Sequence, residues 1–186
     1  VRTEFEKEIS WIHSEDIAKF AQYCVDNLPD YFFHVPASSS GKYHPSYALG
    51  DGGLLRHTKA ALTIAKELFN LEMFPFSEEY QDLILVSLML HDGIKQGNGS
   101  GSHTVFEHPL YAADFIKKCN FESNFLNDKQ EKFVCSAISS HMGQWNTARN
   151  SKTVLPTPKT KIEKFVHLCD YLASRKFLEV NFDVIN

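Results

Sequence analysis

The sequence predicts an all-α protein of about six helices, and three observations carry that reading. Apolar residues recur at i, i+3 and i+4 in several segments, the spacing of a helix that buries one face. Helix-start and helix-stop residues bracket those segments. One stretch, Leu83 to Lys95, opens as a run that is apolar almost all round, as befits a helix with no solvent face. That run is far shorter than the roughly 20 residues a bilayer span needs, so it belongs in the middle of a globule.

The elements follow in order. Ser14 with Glu15 and Asp16 is an N-cap followed by acids in the first turn. Ile17, Phe20, Ala21, Cys24, Val25 and Leu28 supply the stripe behind it, and Pro29 marks the stop. Residues 36–53 are rich in Ser, Gly and Pro and read as a surface connection, although Lys42, Tyr43 and His44 lie within reach of a site. A second helix opens near Leu54 and runs to about Phe69. Ser77 caps the central helix, which ends at His91 and Asp92. Residues 95–102 form a Gly/Ser connector or lid without the pattern of a phosphate loop. Pro109 suits the first turn of a helix reaching about Cys119, and another helix spans roughly Asp128 to His141. An irregular stretch from Met142 to Thr157 is long enough to carry function. Thr157 and Pro158 are expected to open the last helix, with a stripe of Ile162, Phe165, Val166, Cys169 and Leu172.

Composition narrows the setting. With 186 residues the chain reads as a single domain over 1–186, large enough to bury a full core. A net charge of −4 argues against a nucleic-acid coat or a membrane-surface protein, though not against a local basic groove. Cys24, Cys119, Cys135 and Cys169 lack Cys-x-x-Cys spacing and sit among apolar neighbours, so they read as reduced, buried thiols. The first residues show no signal-peptide apolar region, and a cytoplasmic location with no obligate protein partner is the expectation.

The chemistry concentrates at helix ends. A carboxylate at the end of a core helix needs a counter-charge, and the adjacent imidazole makes a metal ion a natural one, because His and Asp are ordinary N/O ligands. A His-Asp pair alone is weak, and each histidine taken singly is more simply a core residue. Six such positions on five helices, His57, His91, Asp92, His108, His141 and Asp170, are hard to dismiss together. Four imidazoles and two carboxylates suit two divalent ions with one carboxylate bridging.

The order His, His-Asp, His, His, Asp resembles the HD-domain metal-dependent phosphohydrolase superfamily, over roughly Tyr43 to Lys176. Gly52-Gly53-Leu54-Leu55-Arg56-His57-Thr58 is similar to the family's Gly-Gly-Leu-Leu-x-His-Thr opening. Leu90-His91-Asp92-Gly93-Ile94-Lys95 is similar to its Leu-His-Asp-Ile-Gly-Lys, with Gly and Ile exchanged. Ser140-His141 followed by Gly143 and Trp145, and His167 to Asp170, resemble the two later motifs. In wording the chain is most similar to the HD portion of bacterial 3′-to-5′ exoribonucleases and to HD proteins of phages and mobile elements.

The resemblance implies a helical bundle around a metal site. One ion would be held by His57, His91, Asp92 and Asp170, and a second by Asp92, His108 and His141, the metal being Mn, Fe, Mg, Ni or Zn. It implies hydrolysis of phosphate esters, with Lys95 and Asp92 as catalytic residues and a nucleotide or oligonucleotide as substrate. Arg56, Trp145, Arg149, Lys152 and Arg175 are candidates for binding that substrate, Trp145 as a surface for base stacking. Two other classes share the ligand set: a di-iron oxygenase acting on a small polyol or phosphonate, and a nucleotide-binding module without turnover.

Overall fold

A computed structural model describes residues 1–38, 40–97 and 103–178. Among the described residues the protein is all-helical, as expected, with seven α-helices: α1 (Glu6–Ile9), α2 (Glu15–Asn27), α3 (Gly53–Leu68), α4 (Glu78–Leu90), α5 (His108–Ser123), α6 (Asp128–Ser140) and α7 (Lys161–Ala173). Single 3₁₀ turns occur at Asp30–Phe33, Ser46–Ala48 and Lys176–Leu178. Of the Gly/Ser segment read as a connector or lid, residues 98–102 lie outside the described residues. No described helix is long and apolar enough to cross a membrane.

The all-round apolar run forms α4, in which every residue from Asp82 to Leu90 is buried. It contacts α2, α3, α6 and α7, while α5 lies along α6 and against α2. One polar group inside α4 has a structural task. The Asp82 carboxylate accepts the backbone N–H groups of His13 and Ser14, each at 2.9 Å, and contacts the His13 ring nitrogen at 2.8 Å. It thereby ties the start of α2 to the central helix, and a buried carboxylate with three partners is tolerated where an unpaired one is not. All four cysteines are buried and unbridged.

The structure differs from the sequence expectation at two helix ends and in two further places. The last helix starts at Lys161, because Thr160 and Glu163, not Thr157, form the reciprocal capping pair; Pro158 lies upstream of it. Helix α5 continues past Cys119 to Ser123, where Asn124 adopts a left-handed conformation (φ 53°) and ends it. The stretch after Met142 is not wholly irregular: Thr147 and Val154 pair in an antiparallel bridge, and Leu155 donates to the Asn146 carbonyl at 2.9 Å. The short α1 was not apparent from periodicity, since four residues make barely one turn.

Candidate metal centre

Five helix segments bring their chemistry to one point. His57 lies in the second turn of α3, His91 caps the C-terminus of α4 with Asp92 next to it, and His108 opens α5. His141 caps the C-terminus of α6, and Asp170 lies in the last turn of α7. All of these side chains are buried except Asp170, which is 19 % exposed. The Nε2 atoms of the four histidines converge on the two carboxylates. His57 is 3.0 Å from Asp170 Oδ1, and His91 is 3.5 Å from both Asp92 Oδ2 and Asp170 Oδ1. His108 is 3.0 Å and His141 3.8 Å from Asp92 Oδ1. Two trios present ligand atoms within 4.8 Å of one another: His57, His91 and Asp170, and His91, Asp92 and His141.

Hydrogen bonds behind the rings fix which nitrogen faces the centre. Nδ1 of His91, His108 and His141 lies 2.6, 2.7 and 2.7 Å from the carbonyls of Leu88, Val105 and Ile138, each three residues earlier. A carbonyl only accepts, so each Nδ1 carries the hydrogen and each neutral ring turns the lone pair of Nε2 inward, the usual arrangement behind a metal-ligating histidine. Two of these lone pairs, on His108 and His141, face each other at 3.3 Å. His91 Nε2 and Asp92 Oδ1 are buried without an aligned hydrogen-bond partner. Acceptors pointed at one another inside a protein need positive charge between them, supplied by a proton on one ring or by a metal ion. The residues present therefore fit divalent metal.

The electrostatics agree. Burial disfavours a charged His91, yet the carboxylates of Asp92 and Asp170 outweigh it and raise the ring to about 10. A proton on that ring is a small stand-in for a metal cation. Burial also opposes charge on the two carboxyls, but Lys95 and His91 hold Asp92, and His91 and His57 hold Asp170, well below the ordinary range. Burial, then His91 and His108, lower His141 to about 3, leaving its lone pair free. Lys95 is buried and its ammonium rests on Asp92 Oδ2.

The centre forms the floor of a cavity of about 630 Å³, and the sequence-derived candidates fare unequally around it. Trp145, Arg175 and Lys95 line it. Arg56 does not: its Nε and Nη2 donate to the carbonyls of Tyr47 and Leu49 at 2.6 and 2.8 Å, bracing the loop ahead of α3. Arg149 and Lys152 are exposed and do not line the cavity either. In their place stand Tyr43, His44, His167 and Tyr171.

The loop carrying Tyr43 and His44, read as a surface connection, is instead folded against α3. Gly52 takes φ 67°, and a Cβ on Gly53 would sit 2.4 Å from the Ala48 carbonyl oxygen, so the paired glycines let loop and helix touch. This sets the His44 ring 5.6 Å from that of His57, and burial followed by His57 and Lys95 lowers His44 to about 4. His167 was visible as part of a motif but without a role. Its Nδ1 donates to the His141 carbonyl at 2.6 Å, and its ring occupies the space that a side chain at Gly143 would need. The exchange of Gly and Ile after Asp92 is accommodated: Ile94 is buried, and Gly93 leaves room for Leu28.

Comparison with curated proteins and with solved structures returns no match. The family model described as HD domain matches residues 47–175, a span that contains all six converging residues. HD domains bind divalent metals and are in general metal-dependent phosphohydrolases, which is what the donor set accommodates. The chain belongs to the HD-domain family.

Proposed function

We propose that the protein hydrolyses phosphate esters of nucleotides or short oligonucleotides at a two-metal centre. The observation that carries this reading is the pair of inward Nε2 lone pairs of His108 and His141, 3.3 Å apart beside Asp92 Oδ1. His57, His91 and Asp170 would hold one ion. Asp92, His108 and His141 would hold the other, since both of those rings approach Asp92 Oδ1, while Asp92 Oδ2 lies 3.5 Å from His91. Bound divalent ions supply a water acidified toward neutral pH and positive charge for the phosphoryl oxygens.

The chain's own residues do the rest. The backbone carbonyls behind His91, His108 and His141 hold each ring in one tautomer and orientation, so the donor geometry is set before substrate arrives. Lys95, at the cavity wall, carries the charge that faces a phosphoryl oxygen or the proton that a leaving oxygen takes. Among the described charged groups lining the cavity, only Asp92 and Asp170 are acidic, and metal would more than neutralise them, which favours an anionic substrate.

The test is release of aryl alcohol from an aryl phosphomonoester and an aryl phosphodiester with Mn²⁺, then after chelation. Mn²⁺-dependent release that stops with chelator and returns with metal is the expected result. Iron-dependent oxygen uptake with no ester cleavage would instead assign the centre to oxygenase chemistry.

A further inference from the structure

The cavity has a buried, ligand-rich floor and a rim of different chemistry. At the rim Trp145 and Tyr171 stack, with ring centroids 5.6 Å apart and planes 11° from parallel. The guanidinium of Arg175 lies 4.7, 5.4 and 5.6 Å from the rings of Tyr171, Tyr43 and Trp145. Trp145 is 43 % exposed, and Tyr43 is exposed to a similar degree.

We propose that this rim is a second subsite, which takes a phosphate beyond the one held at the floor together with its neighbouring nucleobase. The proposal rests on the nucleotide reading of the metal centre and narrows it. The substrate class is a nucleotide with at least two phosphates, in an oligonucleotide end or a nucleoside polyphosphate, rather than a mononucleotide.

Three features carry it. Arg175 is uncompensated: its side chain makes one hydrogen bond, Nε to Ser174 Oγ at 3.1 Å, and no ion pair among the described residues. Both carboxylates that line the cavity among the described residues belong to the floor. A guanidinium braced by aromatic faces keeps its remaining N–H donors in a planar fork that matches two phosphate oxygens. The rim is also held in place before any ligand arrives. The Tyr43 carbonyl accepts the backbone N–H of Lys176 at 2.9 Å, the Tyr47 hydroxyl donates to the Ala173 carbonyl at 2.8 Å, and the backbone N–H of Trp145 donates to the Met142 carbonyl at 3.1 Å. Finally, Tyr171 covers one face of the Trp145 indole, and the exposure of the remainder leaves surface for a base to stack on.

The experiment is calorimetric binding to the Mn²⁺-loaded full chain of three phosphorothioate ligands: thymidine monophosphate, thymidine diphosphate and the dinucleotide pTpT. Arg175→Gln is expected to weaken the diphosphate, the dinucleotide or both by roughly tenfold or more, and the monophosphate by less than roughly threefold. Whichever two-phosphate ligand responds identifies the source. Trp145→Ala is expected to follow the same pattern, Arg175→Lys to recover part of the loss, and Arg149→Gln to match the wild type.

Equal weakening of all three ligands, or of none, overturns the proposal. The two readings fail separately. If aryl esters are not cleaved but two-phosphate ligands bind through Arg175, the hydrolase reading falls and the rim stands. If esters are cleaved and binding is indifferent to Arg175 and Trp145, the rim falls and the hydrolase stands.

Discussion

Asp92→Asn is expected to yield a folded protein that retains no metal after dialysis and cleaves phosphate esters on the order of 10³-fold more slowly than the wild type. Asp92 is buried and lies within 3.0–3.8 Å of three imidazoles, His108 and His141 at Oδ1 and His91 at Oδ2, where the Lys95 ammonium also rests. Among the described residues it is the carboxylate that contacts His91 on one side of the centre and His108 and His141 on the other. The amide keeps the shape and can donate to an inward imidazole lone pair, so the fold survives, but it removes the negative charge that offsets the cations. Metal content by elemental emission and ester hydrolysis are the two readouts, with circular dichroism as the check on folding. A variant that keeps both metal and activity would remove Asp92 from the site.

Gly143→Ala is expected to destabilise the protein by about 2–4 kcal/mol, from a left-handed backbone and an overpacked contact together. The residue sits at φ 58°, and a Cβ there would lie 2.3, 2.5 and 2.8 Å from three atoms of the His167 ring. That ring cannot simply retreat, because its Nδ1 is bound to the His141 carbonyl. A drop of roughly 5–15 °C in melting temperature is the expected reading. Gly50→Ala is the internal control. It has a similar φ of 67° and nothing within 4 Å of its Cβ, so it reports backbone strain alone. Equal effects of the two substitutions would show that the His167 contact contributes nothing.

Much of the floor of the site was legible because it lies at helix ends, where local signals are strongest. Ser77 caps α4 as its sequence announces, and the apolar run places His91 and Asp92 at the far end of that helix. Each of the other four ligand candidates lies on a helix whose stripe or start could be read by periodicity or by proline.

The rim was less legible, for two physical reasons. Neighbours on a helix point about 100° apart, so Arg56, adjacent to His57, is poorly placed to share its pocket and turns to the loop carbonyls instead. Long-range contacts decide the rest. Residues 36–53 have the composition of a surface loop, and long-range contacts draw them against the C-terminal segment, among them the bonds from Lys176 to Tyr43 and from Tyr47 to Ala173. The same separation hid His44 and the role of His167, which depends on a glycine 24 positions earlier in the chain.

The most direct measurement is anomalous diffraction from a crystal of the full chain grown with Mn²⁺. Two peaks are expected in the cavity, one among His57, His91 and Asp170 and one among Asp92, His108 and His141, each within bonding distance of its nitrogen and oxygen ligands. An empty cavity under saturating metal, with His108 and His141 still facing each other, would contradict the metal centre itself.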